Sequence, residues 1–163
     1  MSIIKQDEIT QTRIKALHPL IRDEVVKLVA EANTKLPDNV EIRIVQGLRT
    51  FAEQDALFKQ RPKVTNAKGG QSIHNYGLAI DFALLVNEKE ISWDTSKDSD
   101  KDGQADWLEV VTVFLRAGWT WGGNWRTFKD MPHLEKAFGN NWQQLLEKHK
   151  SKQFILGTEY VKL

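Results

Sequence analysis

Two histidines and two aspartates stand in two short segments, Ser72-Ile73-His74-Asn75-Tyr76-Gly77-Leu78-Ala79-Ile80-Asp81 and Asp130-Met131-Pro132-His133. Imidazole nitrogens and carboxylate oxygens are the donors of catalytic zinc centres, where three protein ligands leave a fourth tetrahedral position for water. The metal makes that water nucleophilic near neutral pH. The fourth group, Asp130, precedes its histidine by three residues, close enough to act as a base toward that water. The chemistry suggested is that of a zinc hydrolase.

A second metal pattern follows between these segments. Asp98-Ser99-Asp100-Lys101-Asp102-Gly103-Gln104-Ala105-Asp106-Trp107-Leu108-Glu109 fits the calcium-loop pattern D-x-D-x-D-G-x5-E. Asp98, Asp100 and Asp102 supply carboxylates and Gly103 the sharp turn. Gln104 offers its backbone carbonyl, Asp106 a direct or water-mediated ligand, and Glu109 bidentate closure. Five carboxylates face one lysine, so the loop repels itself unless a cation is present. The plain alternative is a solvated acidic loop capping the helix that starts near Asp106. Ala105 replaces the usual β-branched residue, and no clear helix enters, so a lone calcium loop is expected rather than a paired one.

The motif SxHxxGxAxD with a late DxxH resembles the signature of the peptidoglycan-directed zinc peptidases. That family includes D-alanyl-D-alanine carboxypeptidases and dipeptidases and the L-alanyl-D-glutamate endopeptidases of phage endolysins. Gln46-Gly47-Leu48-Arg49-Thr50 with Glu53-Gln54, Gly118 to Trp125, and Leu17-His18-Pro19 extend the resemblance over residues 17–140. The chain is most similar to the compact endopeptidases. The resemblance implies His74, Asp81 and His133 as zinc ligands and Asp130 as general base. It also implies Arg49 as the cation that stabilises the oxyanion, and Ser72 as a hydrogen-bonding partner of the substrate near the scissile peptide. Many members carry glutamate where this chain has Asp130, and the shorter side chain requires His133 and the water to lie closer.

Plainer roles stand beside these. Asp130 suits a turn before Met-Pro, and Arg49 could pair with Glu53. Asp81 stands in an apolar strand where an unpaired carboxylate would be costly to bury, a cost that a metal removes. Glu135 shares the face of His133 on a strand, where it either orients that ligand or is a surface carboxylate. His18 and His149 read as structural or solvated. Of the six tryptophans, most belong in the core, while Trp121 or Trp125 could line a substrate groove.

The elements that position these groups read as one α+β domain over residues 1–163, a small antiparallel sheet carrying the zinc site with helices packed against it. Helices are expected at 19–35, 52–60, 106–117 and 142–150. Strands are expected at 40–45, 78–86, 91–93, 119–121 and 133–135. A net charge of +1 with scattered basic residues gives no footprint for nucleic acid. No apolar run is long enough to cross a bilayer. The chain has no cysteine, so metal ligation must use nitrogen and oxygen.

Residues 1–8 lack the apolar core of a secretory signal. An endolysin, made in the host cytoplasm and reaching the wall after release, accommodates this. The resemblance therefore implies a monomeric zinc peptidase that cleaves peptidoglycan stem peptides at the L-alanyl-D-glutamate bond during host cell lysis. A D-alanyl-D-alanine carboxypeptidase shares the same machinery and stays open. So does a non-catalytic wall-binding module dependent on zinc and calcium, against which Asp130 and Arg49 together argue.

Overall fold

The computed structural model describes Lys5 and residues 7–163; residues 1–4 and 6, on which part of the N-terminal reading rests, lie outside it. Helices α1 (Glu8–Lys15) and α2 (Arg22–Lys35) lead into strand β1 (Val40–Gln46) and helix α3 (Phe51–Lys59). Strands β2 (Ala79–Val86) and β3 (Glu90–Ser92) precede helix α4 (Asp106–Arg116), and strands β4 (Thr120–Trp121) and β5 (His133–Glu135) precede helix α5 (Trp142–Lys150). The sheet is antiparallel throughout, in the order β1-β2-β5-β4, with β3 also paired to β2.

The period-2 pattern divides this sheet into two faces. Ile42 and Ile44 of β1 lie opposite Leu84 and Phe82 of β2, and Ile80 lies opposite Leu134 of β5. All six are buried against Val25, Trp107 and Phe114. The alternate positions of β2 and β5 put Asp81 and His133 on the other face, as direct cross-strand partners. Opposed side chains on one face of an antiparallel pair start about 5 Å apart at Cβ, so two of the sequence-predicted ligands are brought together by register alone.

The strands and the last two helices fall within two residues of their expected places, whereas the N-terminal region differs. The helix expected from residue 19 begins at Arg22, with Pro19 in the preceding turn and Leu20 58% exposed. Leu17 and Ile21 fill the core there instead. Helix α1 was not expected at all. It covers the β1 edge through polar groups: the Thr10 hydroxyl accepts from Ile44 N–H at 3.0 Å, and Arg13 donates to the Ile44 carbonyl at 2.7 Å. Asn33 Oδ1 accepts from Ile42 N–H at 2.9 Å. Side chains thus occupy strand-edge groups that would otherwise invite another strand.

His18 is fully buried beneath the C-terminal segment. Its Nε2 donates to the Val161 carbonyl at 2.8 Å, while Nδ1 accepts from Leu20 N–H at 3.2 Å. Both nitrogens are committed to the neutral ring, and burial pushes its pKa below the ordinary value of 6.5. The unfolded chain therefore takes the proton more readily, and the stability this contributes above pH 6.5 is lost as pH falls below it. Melting curves between pH 7.5 and 5.5 are expected to show a fall in Tm that His18→Leu flattens. An unchanged slope in that variant would assign the acid sensitivity elsewhere.

Candidate metal centre

His74 lies on a single 3-10 turn, Ile73–Tyr76, that enters β2. Ser72 and Asn75 form a capping box around this turn. Asn75 also donates to the Arg49 carbonyl at 2.9 Å, and Arg49 N–H donates to the His74 carbonyl at 3.0 Å. The segment after β1 and the segment before β2 are thereby stitched together. This explains why residues far apart in sequence converge.

His74 Nδ1 donates to the Gly47 carbonyl at 2.8 Å, which leaves Nε2 bare and 3.3 Å from Asp81 Oδ2. His133 Nδ1 lies 3.3 Å from Asp81 Oδ1, and its Nε2 reaches Glu135 Oε2 at 2.7 Å. One donor atom each from His74, Asp81 and His133 falls within 4.8 Å of the others. Each histidine thus has one nitrogen held by the protein and one turned toward the shared carboxylate. That is the orientation metal-ligating histidines adopt, and the donor set fits zinc.

The electrostatics agree. Burial would raise Asp81, but hydrogen bonds from His133 and His74 and their charges hold it well below the usual carboxylate range. Burial would lower His133, yet its bonds to Asp81 and Glu135 lift it to about 9.

Glu135, open in sequence between two roles, is hydrogen-bonded to His133 rather than free at the surface. Glu135→Gln is expected to weaken zinc binding by about 10–100-fold, the usual cost of losing an outer carboxylate partner. Competition with a coloured chelator measures this. Wild-type affinity in the variant would return Glu135 to the surface.

Asp130 is half-buried at the turn leading into β5. Its N–H donates to the Gly122 carbonyl at 3.1 Å, and its carbonyl accepts from His133 N–H at 3.2 Å. Burial and the Asp81 charge raise its pKa, with His133, His74 and Arg49 opposing. A Cβ at Gly122 would collide with the Asp130 backbone and stand 3.1 Å from His133 Cβ. Only glycine allows this approach. The Gly122-Gly123 pair was the signal in the sequence for it.

Arg49 lies three residues beyond β1. Its Nη1 donates to Gln54 Oε1 at 2.9 Å, and Nη2 stands 3.9 Å from Asp81 Oδ2. Nε is buried with no hydrogen-bond partner among the described residues. Gln54, fully buried on α3, also donates to the Ala67 carbonyl at 2.9 Å. Gln54 entered the sequence reading only as part of the motif that carries the resemblance, and its role as a bridge from Arg49 to the Ala67 carbonyl was not read there. The Ser72 hydroxyl accepts from His74 N–H at 3.3 Å and keeps its own proton to donate.

The tryptophans divide. Trp121 is buried, its indole donating to the Met131 carbonyl at 2.7 Å. Trp125 is half-buried, with its ring 5.1 Å from that of His133, so it is the one that borders the centre.

The acidic loop forms a second group. Asp98, Asp100 and Asp106 each bring a carboxylate oxygen within 4.8 Å of the others. Gly103 has φ +94°, and its N–H donates to Asp98 Oδ2 at 2.9 Å. Glu109, 7% exposed, has a buried Oε2 without a partner among the described residues. Burial, then the charges of Asp102 and Asp100, push its pKa up to about 7.

Comparison with known proteins agrees with this architecture. The sequence profile of a D-alanyl-D-alanine carboxypeptidase family matches residues 65–136, the stretch holding all three donors of the first centre. Peptidoglycan L-alanyl-D-glutamate endopeptidase CwlK of Bacillus subtilis is 48% identical over 124 residues, covering 73% of this chain and 72% of that protein. The L-alanyl-D-glutamate peptidase of a Listeria phage is 29% identical over 107 residues, covering 64% of this chain but only 34% of the phage protein. The crystal structure of the Serratia marcescens L-Ala D-Glu endopeptidase ChiX shares the fold, with TM-score 0.57 and 24% identity over 83% of this chain and 91% of that one.

Proposed function

Because the chain belongs to this family of D-alanyl-D-alanine carboxypeptidase-type peptidases, we propose that it is a zinc endopeptidase cutting peptidoglycan stem peptides between L-alanine and D-glutamate. The observation that carries this reading is the cluster of His74, Asp81 and His133 in a chain 48% identical to an enzyme named for that cleavage. His74 Nε2, Asp81 and His133 Nδ1 hold the zinc, which when bound polarises a water and the scissile carbonyl. Asp130 takes the proton from the attacking water and returns it to the leaving amine. Arg49 directs its unpaired, desolvated N–H toward the developing oxyanion. Ser72 donates its hydroxyl proton to the substrate backbone, and Trp125 lines the groove beside His133.

The likeness to a phage peptidase supports an endolysin role: synthesis in the host cytoplasm, then action on the wall as a single copy. We also propose calcium in the acidic loop, with Asp98, Asp100, Asp102, Asp106, Glu109 and the Gln104 carbonyl as ligands. The family profile's own description keeps a second reading, removal of a terminal D-alanine.

Mass spectrometry of uncrosslinked muropeptides treated with the zinc-loaded protein separates the two. A new N-terminus at D-glutamate, suppressed by chelator, is expected. Loss of terminal D-alanine alone would move the protein to the carboxypeptidase branch, and no cleavage with zinc bound would overturn the peptidase reading.

A further inference from the structure

The acidic loop does not stand apart from the zinc-ligating segment. It runs directly into α4, with Ala105 as the N-cap and Asp106 and Trp107 in the first turn. Asp106 N–H donates to the Lys97 carbonyl at 2.9 Å, closing the base of the loop onto the helix start. Trp107 is fully buried, and its indole N–H donates to the Met131 carbonyl at 3.1 Å. Met131 lies between Asp130 and His133. The next carbonyl, that of Pro132, accepts from Phe82 N–H at 3.1 Å, and the Phe82 and Trp107 rings pack at 4.4 Å. One chain of contacts therefore runs from the loop through Trp107 to the backbone that carries His133.

Acidic residues alone do not make a site, but Glu109 adds an independent observation. It is 7% exposed, on the first turns of α4, with one carboxylate oxygen buried and unpartnered among the described residues. The Glu109 carboxyl lies beside that of Asp102, and Asp102 and Asp100 are the charges that act on it most strongly, so this side chain borders the loop. A buried acceptor without a donor is costly. The natural complement of one surrounded by carboxylates is a hard divalent cation with oxygen preference.

From this geometry we infer that calcium in the 98–109 loop and zinc at His74, Asp81 and His133 bind with positive coupling, transmitted by Trp107 to the Asp130–His133 segment. The inference rests on the zinc and calcium readings above. Calcium removes the repulsion among the loop carboxylates and fixes the first turn of α4, which keeps the Trp107 indole on the Met131 carbonyl. That contact holds the turn from which Asp130 and His133 project. Zinc, gripping His133, fixes the same turn from the other side. Two ligands that order one shared element must each tighten the other by the same factor.

Calorimetric titration of calcium into zinc-free and zinc-loaded protein tests this without reference to catalysis. Zinc is expected to tighten calcium by about fivefold or more, within the usual range of coupling between sites. Trp107→Phe, which keeps an aromatic ring against Phe82 but loses the indole donor, is expected to bind calcium with the same Kd in both states. Equal wild-type affinities would overturn the coupling and leave the calcium site standing. Absence of calcium binding in either state would overturn the loop assignment and the coupling together, while zinc binding in the same preparation would keep the peptidase reading. Full coupling in Trp107→Phe would overturn the route. If that variant does not fold, the wild-type pair of titrations decides alone.

Discussion

Asp130→Ala is expected to slow muropeptide hydrolysis by about 10²–10⁴-fold, the usual worth of a positioned proton-transfer group, with zinc content unchanged. The separation of effects follows from geometry. The three donors that converge are His74, Asp81 and His133, and Asp130 is not among them. It sits instead on the turn beside them, its backbone pinned at Gly122 and His133. Burial and the neighbouring Asp81 raise its pKa above that of an ordinary aspartate, which makes it a stronger base than an exposed carboxylate and moves it toward neutral pH. The measurements are initial rates on a defined muropeptide and zinc by atomic emission on the same sample. Wild-type hydrolysis in Asp130→Ala would remove it from the reaction. Loss of zinc along with activity would make it a ligand or a support for one.

What the sequence disclosed and what it withheld divide by physical cause. The residues that converge were legible because only a few side-chain types offer metal-binding nitrogen or oxygen, and Asp81 stood out as a charge inside an apolar strand. Its partnership with His133 is a matter of strand register, fixed once the apolar alternation of β2 assigns Ile80 and Phe82 to the core. Which nitrogen of each histidine is free was not legible. It depends on acceptors distant in sequence, such as the Gly47 carbonyl for His74. Helix α1 gave no periodic signal because only Thr10 and Ile14 of it are buried, and Thr10 and Arg13 act by hydrogen bonding to a strand edge. His18 similarly looked like a polar residue before a proline, since its partner, Val161, lies at the far end of the chain. Local pattern carries information about faces; long-range polar pairing does not.

Arg49→Ala is expected to lower kcat by about 10²–10³-fold with KM little changed, as removal of an oxyanion donor does. The guanidinium is mostly buried, and burial lowers its pKa, opposed by Asp81, Glu53 and Asp130. It remains charged, since arginine titrates far above neutrality. Gln54 fixes one arm of the fork, and Nε is left buried without a partner among the described residues. Such a donor is costly to leave idle, and a developing oxyanion would offset that cost in the transition state more than a neutral carbonyl does in the ground state. Its 3.9 Å approach to Asp81 offers a rival role, support of a zinc ligand. Zinc affinity discriminates between them. Retained zinc with a collapsed kcat makes Arg49 an oxyanion donor, whereas a matching loss of zinc makes it a positioning residue for Asp81. Arg49→Lys sharpens the comparison. A lysine keeps the charge that steadies Asp81 but lacks the planar fork and the Nε donor, so partial recovery of zinc binding without recovery of kcat would favour the oxyanion role.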